Sequence, residues 1–169
     1  VVLDFGGQTA QLIARRIRDA EVYAEVVPGD AQCAEYLDAE VRGVVLSGSP
    51  SSVYAEDAPA PDPQLFEAGI PVLGICYGFH QIVHAFGGSV RAEPSREFGR
   101  ARVSYADATV PELFAGVPDG FVSWMSHGDS VAALPEGFVE IATSEHHIAV
   151  AAHRTQPVYR SEERRVGKE

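Results

Sequence analysis

The segment Ile70-Pro71-Val72-Leu73-Gly74-Ile75-Cys76-Tyr77-Gly78-Phe79-His80-Gln81-Ile82-Val83 decides how this chain is read. Residues 70–75 form a short apolar run that reads as a strand. Beyond it, Phe79, Ile82, Val83 and Phe86 recur at helical spacing as far as Gly87-Gly88, a helix stop. Between strand and helix stands Gly74-Ile75-Cys76-Tyr77-Gly78. Glycines on both sides let strand and helix pass without Cβ collisions, while the residue between is held in a tight, strained turn with its side chain presented. Cysteine suits attack on an amide at such a turn, because unpaired N–H groups and the positive dipole end of the helix favour the thiolate. The alternative is a small buried core residue, as thiols in arbitrary chains often are.

Working outward, short apolar runs at 1–5, 21–27 and 41–46 read as further strands, each followed by Gly, Ser or Pro signals. Ala10, Ile13, Ala14 and Ile17 share one helical face, with Arg15, Arg16 and Arg18 left for the wet side. Strand and helix alternate, which predicts an α/β fold with a doubly wound, mainly parallel sheet and helices on both faces. The second half changes character. Residues 98–105, 120–124, 138–143 and 148–152 are strand-like with short turns, so a mixed or antiparallel C-terminal extension is expected. Residues 51–63, with Pro59, Pro61 and Pro63, carry no apolar period and read as an exposed loop.

Ser47-Gly48-Ser49-Pro50 follows the strand at 41–46, at the same carboxyl edge of the sheet as Cys76. Ligands of open α/β sheets bind at that edge. Backbone N–H groups of this loop and of Tyr77 are candidate donors to an oxyanion formed when Cys76 attacks a carbonyl. An ordinary strand-to-helix turn is the plain alternative.

A chain of 169 residues with 46% hydrophobic composition fits one core and is too short for two ordinary domains. Its formal charge of -11 opposes a nucleic-acid or anionic-membrane surface. With no long apolar span and no basic-then-apolar leader, a cytoplasmic location is expected. The two cysteines, Cys33 and Cys76, are expected to remain thiols. No metal cluster is expected; His80 and His84 have no acidic or thiol companion nearby in sequence. The chain opens inside the run Val1-Val2-Leu3-Asp4-Phe5 without an initiator Met, so a piece of a longer protein is expected.

The stretches LDFGGQ, LSGSPSSVY, GICYG, REFG and WMSHGD occur in the order found in class I glutamine amidotransferases, and the set most resembles the amidotransferase domain of GMP synthases. GxCxG marks only the class; Arg96-Glu97-Phe98-Gly99 and Trp124-Met125-Ser126-His127-Gly128-Asp129 point to the GMP synthase type. The resemblance covers residues 1–159. It implies that Cys76 is acylated by glutamine with release of ammonia, and that the glutamyl thioester is then hydrolysed. Gly48, Ser49 and Tyr77 would form the oxyanion loop. Gly78, His80 and a loop of Ser126, His127 and Gly128 would bind glutamine, and Asp129 fits a counter-charge to its α-ammonium. His127 is chemically able to act as a base; the resemblance places it in the substrate loop instead. His146, His147 and His153 read as turn or surface residues.

The resemblance also implies a partner: an ATP-dependent synthetase domain, fused or separate, that uses the ammonia to convert XMP to GMP. ATP and Mg would belong there, leaving this domain without a cofactor. A Cys-dependent peptidase or γ-glutamyl hydrolase is a weaker reading, because WMSHGD and REFG favour the synthetase-linked family.

Three departures from the family pattern stand out. Gly48-Ser49-Pro50 replaces the usual Gly-Gly-Pro. His80 stands where a substrate-contacting Gln is usual, and Gln81, one helical step of about 100° away, cannot point the same way. After Pro157-Val158-Tyr159 the family continues Gly-Val-Gln-Phe-His-Pro-Glu, supplying a catalytic His and its orienting Glu. By register those positions are Arg164 and Val166 here. A guanidinium stays protonated and valine has no acceptor, so neither can replace them. Residues 160–169 read as a non-homologous, charged, disordered tail, artefactual rather than evolved, with a degenerate natural terminus as the alternative. Two functions are therefore weighed: a glutaminase domain whose chain is inactive as it stands, or a non-catalytic amidotransferase-like module docking to a synthetase.

Overall fold

The computed structural model describes residues 1–106, 112–145, 147–161 and 164–165, with residues 93–98, 126–127, 160 and 164–165 described by their backbone. Five parallel strands form the centre of the sheet. They are β1 (Val2–Asp4), β2 (Val26–Pro28), β3 (Val44–Leu46), β4 (Val72–Ile75) and β9 (Val158–Ser161), in the order β2-β1-β3-β4-β9. The sheet continues from β9 through antiparallel β8 (Ile148–His153), β7 (Phe138–Thr143), β5 (Ser89–Tyr105), β6 (Phe121–Ala133) and β10 (Arg164–Arg165). The parallel centre with an antiparallel extension is the architecture expected from the sequence.

The two-residue alternation of a strand explains the layers. Val2 faces the helix α1 (Ala10–Asp19), packing with Ala10, Ala14 and Ala24, while Ile13, Ile17 and Val45 close the same cluster. Leu3, Val44, Leu46 and Val72 point the other way, onto Phe79, Ile82 and Val83 of α3 (Tyr77–Ala85) and onto Cys33 and Tyr36 of the short helix α2 (Cys33–Tyr36). Arg15, Arg16 and Arg18 lie on the exposed side of α1. Arg18 folds back, its Nε donating to the Ala24 carbonyl at 2.9 Å. Val103, Met125, Ile141, Ala142 and Val150 make a separate core within the antiparallel extension.

Several boundaries differ from the sequence reading. The run 21–27 yields a strand only from Val26, because Glu21 adopts φ 61 and closes α1, its N–H donating to the Arg18 carbonyl. Val22 and Tyr23 consequently stand exposed at 56% and 84%. The strands at 41–46 and 70–75 begin late, at Val44 and Val72. Strands β5 and β6 extend well beyond 98–105 and 120–124, since ladder hydrogen bonds carry them through polar segments that show no apolar alternation. Ser126 to Asp129 therefore form part of a strand and not a loop: His127 lies opposite Glu97 and Asp129 opposite Ala92, with a register shift between those pairs.

Segment 51–63 is not simply exposed either. Val53 is buried, and Pro63 opens a 3-10 helix, Pro63–Glu67, capped by the Asp62 carboxylate, which accepts from the Gln64 N–H. The disorder expected of 160–169 does not hold at Arg160 and Ser161, which continue β9 opposite Gly74 and Ile75, nor at Arg164 and Arg165, which pair with Trp124 and Ser123. Val166 and the rest of the tail lie outside the described residues. Among the described residues no helix is long and apolar enough to cross a membrane.

Candidate active site

Cys76 occupies the junction between β4 and α3 with φ 52 and ψ −113, one of two non-glycine residues at positive φ among those described. A β-carbon in that region is disfavoured by roughly 1–3 kcal/mol, so surrounding contacts must enforce it. They do. The Cys76 N–H donates to Ser161 O at 3.0 Å, the Gly78 N–H to Ser47 O at 3.0 Å, and the His80 N–H to Cys76 O at 3.2 Å. The side chain is partly exposed rather than sealed in the core, so the buried-core alternative fails.

The flanking glycines are required by packing. A Cβ on Gly74 would stand 2.5 Å from Gly78 O, and one on Gly78 would collide with the Leu46 backbone and approach Leu46 Cβ to 2.6 Å. The helix after Cys76 can therefore sit directly on β3. That close approach delivers the loop after β3 to Cys76: a methyl group placed on Gly48 would lie 3.7 Å from Cys76 Cβ. Gly7 backs onto the Gly48 carbonyl so closely that any side chain there would clash. Ser49 is half-buried with ordinary backbone, and its Oγ accepts from the Ser51 N–H at 3.1 Å.

Cys76, Gly48, Ser49, Tyr77, Gly78 and His80 are thus gathered around one edge of the parallel sheet. His80 is buried at 5% exposure. Gln81, at 4%, is committed elsewhere: its Nε2 donates to Pro59 O at 3.0 Å and to the Tyr77 hydroxyl at 2.6 Å. The hydroxyl in turn donates to Pro59 O at 2.8 Å, and burial pushes its pKa up while the Gln81 bond works against that. Gly128 and the half-buried Asp129 stand on β6. The side chains of Ser126 and His127, and all of His146, lie outside the described residues. His153 packs edge-on against Phe138 at 4.8 Å, and its Nδ1 accepts from the Gln156 N–H at 3.0 Å.

Sequence reasoning missed three participants in this geometry. Ser161 lay in the stretch set aside as a tail, Gln81 was considered only for substrate contact, and Gly7 carried only the signal of a Gly-Gly doublet after β1. Cys33 and Cys76 are both thiols and not halves of a disulfide. Among the described residues no group of His, Cys, Asp and Glu is arranged to hold a metal.

A strained cysteine on a strand-to-helix elbow, backed by a glycine loop from the adjacent parallel strand, is the arrangement of a class I amidotransferase. The family described as glutamine amidotransferase class-I matches residues 1–160, and the chain belongs to it. Its curated relatives within that family include GMP synthases (glutamine-hydrolysing). The protein from Streptomyces avermitilis is 50% identical over 147 residues, covering 86% of this chain and 27% of its own length. That from Wolinella succinogenes is 46% identical over 162 residues, covering 94% of this chain and 31% of its own length. The chain thus spans less than a third of the relatives it matches. A solved structure named for a GMP synthase component of Thermoplasma acidophilum superposes with a TM-score of 0.80 at 28% identity, over 96% of this chain and 81% of that one. A glutamine amidotransferase from Thermotoga maritima shares the fold at a TM-score of 0.76 and 20% identity, over 96% of this chain and 74% of that one.

Proposed function

We propose that this chain is the glutaminase domain of a GMP synthase, a domain whose family role is to supply ammonia to an ATP-dependent synthetase that aminates XMP in the cytoplasm. The strained backbone of Cys76, held against the Gly48 loop, carries this reading. In the reaction the Cys76 sulfur attacks the carboxamide carbon of glutamine, and the carbonyl oxygen becomes an oxyanion. Backbone donors at Gly48-Ser49 and Tyr77 stabilise that charge; as the first residue of α3, Tyr77 has an N–H without an intrahelical acceptor. Collapse of the tetrahedral species expels ammonia, and water cleaves the thioester to glutamate. Gly78, His80 and the β6 segment Ser126-His127-Gly128-Asp129 bind the amino-acid end, with Asp129 opposing the α-ammonium. This domain needs no cofactor, and ATP and Mg act in the synthetase.

Both steps need a proton acceptor and donor beside the sulfur, and the family's His and Glu positions hold Arg164 and Val166 here. We therefore assign the chain as it stands a glutamine-binding but hydrolytically silent state. That substitution also favours the second reading, a docking module without turnover. Calorimetric titration with glutamine tests the assignment: saturable binding weakened about tenfold by Asp129→Asn supports it, whereas no binding by either form would leave only the docking module.

A further inference from the structure

The loop that begins at Gly48 leaves β3 and returns to the same helical turn it started from. Ser47 O accepts from the Gly78 N–H at 3.0 Å, and Pro59 O accepts from the Tyr77 hydroxyl at 2.8 Å and the Gln81 amide at 3.0 Å. Both ends are therefore fastened to the first turn of α3, directly after Cys76. Between them Val53 is buried, and the Tyr54 hydroxyl accepts from the Val90 N–H at 2.9 Å. Tyr77 sits where three segments cross. Its ring meets Phe5 at 5.5 Å, its hydroxyl holds Pro59, and its backbone is the candidate oxyanion donor.

Among the described residues, the Gln81 side chain makes no hydrogen bond beyond these to Pro59 and Tyr77. A leucine would fill its volume without the cost of burying an amide, so what the amide supplies is direction. Two oxyanion donors drawn from different segments must be held to within a fraction of an ångström to act together.

We propose that Gln81 and the Tyr77 hydroxyl are positioning residues, which by fastening Pro59 hold the Gly48-Ser49 backbone in register with Cys76. The inference rests on the amidotransferase reading and deepens it. It concerns the glutamine-shaped site, not the thiol itself, and this separates it from a purely structural role.

The test uses two alkylating probes on the chain as it stands, with Cys76 labelling read by mass spectrometry: iodoacetamide, and a chloromethyl ketone carrying the glutamine amino-acid group. In the second, the Cys76 sulfur forms a bond to the methylene carbon as the C–Cl bond breaks and chloride leaves with the electron pair. The wild-type chain is expected to react faster with the ketone, relative to iodoacetamide, than free cysteine does. Gln81→Leu is expected to lower that ratio by about tenfold while its iodoacetamide rate stays within about twofold. Tyr77→Phe, which keeps the ring on Phe5, is expected to lower the ratio less, and it carries the measurement should Gln81→Leu fail to fold. A wild-type preference retained by the folded variants overturns the inference alone. Absence of any wild-type preference overturns the glutamine-binding reading and the inference with it.

Discussion

The amide of Cys76 donates to the carbonyl of Ser161 at 3.0 Å, so the end of β9 is tied to the strand-to-helix elbow itself. The tie follows from parallel pairing: Ile75 lies opposite Ser161, and both strands run out at the same edge of the sheet. Ser161 therefore ends β9 against the backbone of Cys76. A base introduced a few residues beyond Ser161 would start from this tie between β4 and β9.

Replacing residues 160–166 by Gly-Val-Gln-Phe-His-Pro-Glu should therefore create glutaminase activity on an unchanged core. Ammonia release from glutamine is expected to rise by about 10³-fold or more, and to vanish again with Cys76→Ala. Equal release by the original and the replaced chains, still sensitive to Cys76→Ala, would show that another base already serves.

The close approach of α3 to β3 sets a limit on Gly78. Adding a methyl group there drives it into Leu46 backbone that cannot yield, so Gly78→Ala should lower stability by about 3 kcal/mol or more. Gly69→Ala is the control: φ is +70 but the surrounding space is open, and about 1 kcal/mol of backbone strain is expected. Urea denaturation midpoints of the two variants check the order.

Asp62 makes the acid limb of stability partly predictable. Its carboxylate accepts from the Cys33 N–H at 2.9 Å and the Gln64 N–H at 3.0 Å, and these backbone bonds hold its pKa below the usual carboxylate value. A depressed pKa in the folded state means a contribution present above the unfolded value, about 3.9, and lost as pH falls through the folded value. Asp62→Asn should flatten the decline of the melting temperature below about pH 4 and leave its slope near neutral pH unaltered. A variant whose acid limb runs parallel to the wild type would contradict this.

Much of the parallel half could be read in advance because its signals are local. The α1 stripe Ala10, Ile13, Ala14 and Ile17 and the Gly74-Cys76-Gly78 elbow each encode their own geometry. What escaped was non-local. Nothing in Ser126-His127-Gly128-Asp129 announces a strand, since its partner is the equally polar stretch before Phe98 and the ladder bonds are backbone bonds. Gln81 escaped for a similar reason: its acceptor, Pro59, belongs to a loop whose fold depends on the helix it wraps. Val22 and Tyr23 misled in the opposite sense, as apolar residues spent on a helix-closing turn.

The two thiols should separate cleanly by reactivity. Cys33 is buried at 5% exposure, its sulfur 3.5 Å from the Tyr36 hydroxyl, and burial pushes its pKa up so that it stays protonated near neutral pH. Cys76 is more exposed and sits at the start of α3. Under native conditions at pH 7 iodoacetamide should label Cys76 at least about tenfold faster than Cys33, with the two rates converging once urea unfolds the chain. Rapid native labelling of Cys33 would mean that the α2 face opens far more readily than its packing against Leu3, Val44 and Leu65 allows.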